Sequence, residues 1–121
     1  MSTGRYVRVE HLNLRLGTDL VFMPRLLDKL NNPSFINKVL TDKEQSLFES
    51  LSLERHKLEF LCGRFACKEA YAKAMGTGIG IVDFKDVEIL KNEFGAPISN
   101  QGTFSISHDG DYAIAVVIVH E

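Results

Sequence analysis

The 121-residue chain has no tryptophan, only two cysteines and three prolines, and a net charge of −2. Each scarcity narrows what the protein can be. Near-neutral charge leaves no overall basic surplus, so nucleic acid is not an expected partner. Cys62 and Cys67 fall in what reads as one helix, where five residues of about 100° each send them about 140° apart. They cannot bridge each other, and two unbridged thiols fit a reducing compartment. No histidine stands at ligand spacing to either, which argues against a thiolate metal site. The segment Met1 to Asn13 lacks an apolar signal region. The longest apolar run, Tyr112 to Val119, is far short of a bilayer span, so no membrane role is expected. There is no Gly-x-Ser-x-Gly elbow for a serine hydrolase. Repeats, low-complexity tracts and linkers are also missing. The expectation is one domain over residues 1–121, located in the cytosol.

What is present reads as α+β. With 45% hydrophobic and 25% charged residues, the composition is that of a soluble globular protein. From His11 to Leu16 apolar and polar residues alternate, which predicts a half-buried strand ending at Gly17-Thr18-Asp19. A short helix with Pro24 in its first turn follows, broken by Asn31-Asn32-Pro33. Thr41-Asp42-Lys43-Glu44 matches a capping box, which predicts a helix through Leu47, Phe48 and Leu51. A long alanine-rich helix spans about Glu54 to Met75, and Gly76-Thr77-Gly78-Ile79-Gly80 stops it. The second half reads as strands over Val82 to Ile89, Phe104 to His108 and Tyr112 to Val119. Turns at Asn92–Gly95 and Asp109–Asp111 separate them.

The long helix carries the most informative residue. Leu58, Cys62, Phe65, Ala66, Glu69 and Ala72 gather on one face, which puts the Glu69 carboxylate inside an apolar stripe. Burying it alone is costly. One reading pairs it with Lys73 as an i, i+4 ion pair. The other makes it a ligand of a hard cation. Asp19, beyond a strand end, is either a turn or N-cap residue or a second ligand. Two carboxylates from separate elements suit Mg²⁺, which takes few protein ligands and is completed by water and phosphate oxygens. Arg64, Lys68 and Lys73 form either a solvated basic edge of the helix or a set of cations for phosphate oxygens. His108 shares a strand face with Phe104 and Ile106, as a core histidine or a ligand contact at the strand end.

Taken in order, several segments carry a resemblance. They are Gly17-Thr18-Asp19-Leu20-Val21, Arg25, Leu40-Thr41-Asp42-Lys43-Glu44, the run from Gly63 to Gly76, Gly95-Ala96-Pro97 and Ser105-Ile106-Ser107-His108. Over about residues 12 to 119 the chain resembles the holo-[acyl-carrier-protein] synthase type, the small-subunit branch of the 4′-phosphopantetheinyl transferase family. The resemblance implies a small antiparallel sheet packed with a long helix and completed by trimer assembly. It implies transfer of phosphopantetheine from coenzyme A to a serine of apo acyl carrier protein, with release of adenosine 3′,5′-bisphosphate, in support of fatty acid biosynthesis. Asp19 and Glu69 would hold Mg²⁺. Glu69, Lys68 and Asp19 would be catalytic, with a metal-bound water, or Glu69 through it, as base. Arg64, Lys68, Lys73, Gly76 and His108 would line the coenzyme A pocket, some of them across a subunit boundary, and Arg25 would dock the carrier protein. Three positions depart from the pattern: Thr18 for isoleucine, Ala96 for lysine, and Asp109 for threonine or serine. Residues 1–10 fall outside the resemblance and read as a disordered or edge-strand arm. A non-catalytic module that binds carrier protein or nucleotide is the alternative.

Overall fold

The structure, a computed structural model, describes residues 3–121; Met1 and Ser2 of the predicted arm lie outside the described residues. Strand β1 (Val7–Val9) leads through a 3-10 turn and Asn13, at φ 53°, into β2 (Leu14–Phe22). A 3-10 helix (Met23–Asn31) precedes three α-helices: α1 (Pro33–Val39), α2 (Asp42–Glu49) and α3 (Glu54–Ala74). A two-stranded ribbon of β3 (Leu90–Lys91) and β4 (Pro97–Ile98) comes next. The hairpin of β5 (Thr103–Asp109) and β6 (Tyr112–His120) completes the order. The main sheet is antiparallel throughout, in the order β1-β2-β6-β5.

The capping box at Thr41 and Glu44 forms as predicted, and the hairpin and long helix lie within a residue or two of their expected limits. The first strand does not. His11 and Leu12 belong to the 3-10 turn, and the strand runs on to Phe22, which places Asp19 in its middle and not past its end. The alternation misleads because polarity inverts along β2. Gly17, Asp19 and Val21 face inward, whereas Thr18, Leu20 and Phe22 face outward. The predicted strand from Val82 to Ile89 is instead a 3-10 turn (Phe84–Asp86) capped by Asp83, with Phe84, Val87 and Ile89 buried. Asp83 accepts from Lys85 N while Asp86 reaches back to Asp83 N, a local bonding pattern that competes successfully with strand pairing.

Helix α3 lies across the inner face of β2 and β6. It has no single apolar stripe, because Phe60, Leu61, Arg64, Cys67 and Lys68 are as enclosed as Leu58, Cys62 and Phe65. The sheet covers one side and α1, α2 and the 84–90 segment cover the rest, so from Phe60 to Ala70 a helix buried all round replaces the expected amphipathic one. Gly17 sets the distance between helix and sheet. A Cβ built there would fall 2.1 Å from Ala70 O, so only glycine admits the helix this closely. Both cysteines are free and buried, and burial pushes each thiol up to about 12.

Candidate active site

The close approach at Gly17 brings the next inward residue of β2, Asp19, to the turn of α3 that carries Glu69 and Lys73. Lys73 Nζ donates to Asp19 Oδ1 at 2.9 Å. The ion pair thus joins helix to strand and is not the predicted Glu69–Lys73 pair along the helix. Glu69 is 8% exposed, and its Oε1 has no hydrogen-bond partner among the described residues. Burial raises its pKa, and so does the negative charge of Asp19, while Lys73 opposes both. The two carboxylates are therefore near neighbours that feel each other, as a shared cation would require. No group of three or more potential metal ligands occurs among the described residues. Any metal here leans on a two-carboxylate set, which suits an ion that keeps waters and takes phosphate oxygens.

Lys68 and Arg64 do not point into this space. Lys68 is 0% exposed, and its ammonium donates to Glu44 Oε1 and to Val39 O, both at 2.6 Å. Glu44 is equally enclosed. The same Oε1 accepts from Thr41 N at 2.8 Å, and Oε2 accepts from Ile89 N at 2.8 Å. Burial lowers the Lys68 pKa, and Glu44 opposes the shift by pairing with the charged form. Arg64 stacks over Phe60 at 4.1 Å and donates to Ile89 O and Leu90 O, each at 3.1 Å. Both cations hold backbone, and together they lock α1, α2 and the 89–90 segment onto α3 on the side away from the sheet. Of the two readings of these residues, the solvated basic edge is excluded because the helix has no solvated edge there, and the phosphate-holding one finds both cations already engaged within the fold.

Gly76, at φ 77°, ends α3 in a Schellman arrangement: Gly76 N donates to Lys73 O and Thr77 N to Ala72 O. Arg15 donates to Ala74 O and Met75 O and so caps two further carbonyls. His108 is exposed and its Nε2 lies 3.1 Å from Glu59 O, so it is no core histidine. It sits in register with Ala113, which pairs with Val21, two residues along β2 from Asp19. Arg25 is exposed. It lines a hollow of about 160 Å³ with Val21, Leu26 and Phe65, at the same end of the inner face as His108. Asp19, Glu69 and Lys73 thus come together, with His108 and Arg25 at one flank and Gly76 at the other. The sequence reading overlooked the double use of Glu44. The capping box was visible, but a box glutamate normally faces solvent, and nothing local shows a lysine 24 residues on.

Comparison with known proteins places the chain in a family. Residues 15–117 match the model of the 4′-phosphopantetheinyl transferase superfamily. The chain is 55% identical over 96 residues to the holo-[acyl-carrier-protein] synthase of Streptococcus thermophilus, covering 74% of this chain and 80% of that one. It is 45% identical over 112 residues to the synthase of Oceanobacillus iheyensis, covering 86% and 93%. Among solved structures it is similar to the holo-(acyl-carrier-protein) synthase of Bacillus anthracis in complex with CoA (3′,5′-ADP). That match has a TM-score of 0.77 at 37% identity, over 86% of this chain and 93% of the other. The Helicobacter pylori synthase in complex with coenzyme A matches with a TM-score of 0.75 at 31% identity, over 86% and 98%. The chain belongs to the 4′-phosphopantetheinyl transferase superfamily, in its holo-[acyl-carrier-protein] synthase branch. It is accordingly an enzyme, a transferase with the α+β fold of that branch.

Proposed function

We propose that this enzyme moves the 4′-phosphopantetheine group of coenzyme A to a serine hydroxyl of apo acyl carrier protein, releasing adenosine 3′,5′-bisphosphate. The reaction depends on Mg²⁺ held by Asp19 and Glu69, and it serves fatty acid biosynthesis in the cytoplasm. One observation carries the metal assignment: the buried Glu69 Oε1, without a hydrogen-bond partner among the described residues, beside a second carboxylate. The donor set is hard oxygen from two elements of the fold, which fits Mg²⁺. When bound, the ion neutralises the diphosphate and polarises the phosphorus under attack.

The protein's own groups do the rest. Lys73 faces the cavity beyond Asp19 and holds a phosphate oxygen of the substrate. Glu69, acting through a water beside it, takes up the proton of the incoming serine. Lys68 and Arg64 act as positioning residues, fixing α3 against α1, α2 and the 89–90 segment. Gly76 and His108 border the coenzyme A pocket. Arg25 pairs with carboxylates of the acidic carrier protein. The chain works as one domain over residues 1–121 and assembles as a homotrimer with sites between subunits. Support for assembly comes from the outer sheet face, where Leu20, Phe22, Tyr112, Ile114 and Val116 form a contiguous exposed apolar patch across β2 and β6.

Mass spectrometry of apo carrier protein incubated with the enzyme, coenzyme A and Mg²⁺ tests the reading. A mass gain of one phosphopantetheine arm is expected, and Asp19→Ala or Glu69→Ala should abolish it without unfolding the protein. No gain with the wild type would favour a binding module. Coenzyme A cleavage without carrier protein would favour a diphosphate hydrolase. Light scattering tests the trimer, which charged substitutions at Leu20 and Ile114 should dissociate.

A further inference from the structure

The arm that precedes the family match lies against the site. β1 pairs with β2 from Val7↔Leu16 to Val9↔Leu14. Arg8 and Arg15 both hold Glu121, at 2.8 and 3.0 Å. The Arg15 guanidinium also rests 5.5 Å from the Tyr6 ring centroid. Tyr6 lies over the end of α3, where a Cβ built on Gly76 would meet its ring at 3.3 Å, and a Cβ on Gly4 would lie 3.6 Å from Lys73 Nζ. The arm thereby becomes one wall of a cavity of about 410 Å³ lined by Gly4, Arg5, Tyr6, Lys73, Gly76 and Gly78.

The charge that the described residues give that cavity is of one sign. Among the described residues, its only charged lining residues are Arg5 and Lys73. Helix C-terminal carbonyls would repel an anion here, but Arg15 already satisfies two of them. Arg8 and Arg15 are committed to Glu121, whereas Arg5 is exposed and forms no ion pair with any described residue. A guanidinium poised beside Lys73, in a site that handles a nucleotide diphosphate, matches a phosphate group in charge and geometry.

We propose that Arg5 is a substrate-binding residue that pairs with a phosphate of coenzyme A, supplied by an arm outside the residues the family match covers. The assignment rests on the transferase reading above. Arg5→Ala and Arg5→Lys, made in the full chain, are compared with the wild type by steady-state kinetics and by calorimetric binding of coenzyme A and dephospho-coenzyme A. Arg5→Ala should raise both the KM and the Kd for coenzyme A about tenfold, the scale of one charge-assisted hydrogen bond. kcat should stay within about twofold and the KM for carrier protein should not move. Arg5→Lys should recover most of the loss. If the effect vanishes with dephospho-coenzyme A, the partner is the 3′-phosphate; if it persists, the partner is the diphosphate. Unchanged KM and Kd in Arg5→Ala would overturn the proposal. Tighter binding in that variant would overturn it too, because the arm would then compete for the cavity. A wild type that binds coenzyme A but transfers nothing would defeat the transferase reading, and the Kd comparison would still decide the role of Arg5.

Discussion

Replacing Glu69 by glutamine separates the cost of the buried carboxylate from its use. In the metal-free protein Glu69 Oε1 lacks a hydrogen-bond partner among the described residues and faces the charge of Asp19. An unsatisfied buried polar group costs about 1–3 kcal/mol. Glutamine at 69 keeps an unpaired amide, so only the charge-dependent part of this cost, itself offset in part by Lys73 and about 1 kcal/mol, separates the ionised wild type from the variant. Because burial and Asp19 raise the folded-state pKa above the unfolded value, the penalty is absent at low pH, where both states are protonated. It appears as pH rises through the carboxylate range. Glu69→Gln, which carries no charge, should therefore melt roughly 4–8 °C above the wild type at pH 7 without metal. The two should converge below about pH 4. Mg²⁺ reverses the order. At a hundredfold excess over Kd it should stabilise the wild type by about 2.7 kcal/mol and the variant hardly at all. Differential scanning calorimetry at pH 4 and pH 7, with and without Mg²⁺, reads all four states. A variant less stable than the wild type in metal-free buffer at pH 7 would refute the reasoning, as would an equal Mg²⁺ shift in both proteins.

Lys68→Met should cost about 3–5 kcal/mol by leaving Glu44 buried without its cation. The double change with Glu44→Gln should recover part of that in urea denaturation. Gly17→Ala, which drives a Cβ into the Ala70 carbonyl, should cost about 1–3 kcal/mol and lower kcat by separating Asp19 from Glu69. Cys62 and Cys67, with thiols pushed up to about 12, should resist iodoacetamide at pH 8 in the folded protein and react fully in urea, as peptide mapping would show.

Most of the helical half was legible because its signals are local. The Thr41 box, the Asn32–Pro33 break and the glycine stop after Met75 each depend on residues within a turn of one another. Strand β2 was misread because its inward face holds a glycine and an aspartate and its outward face holds leucine and phenylalanine, the reverse of the usual alternation. Both reversals belong to function and assembly in the reading above: Gly17 admits the helix, Asp19 serves the site, and the outer leucine and phenylalanine await partner subunits. Glu69 stood out in the sequence as an acid among apolar neighbours. The destination of Lys73 was not visible, since its partner Asp19 lies 54 residues away on another element. Lys68 looked like a surface cation for the same reason: Glu44 and the Val39 carbonyl meet it only after α1 and α2 pack down.

The sheet order has a consequence for how the enzyme comes into being. Asp19 sits on β2, whose long partner is β6, while its other neighbour, β1, pairs over only three residues. Among the described elements β6 is the last in chain order. Until it docks, β2 has no full-length neighbour to hold Asp19 against the already formed α3. In the reading above the carboxylate pair therefore forms only once β6 has docked, and a nascent chain that has not yet released Tyr112 to His120 should bind neither metal nor substrate.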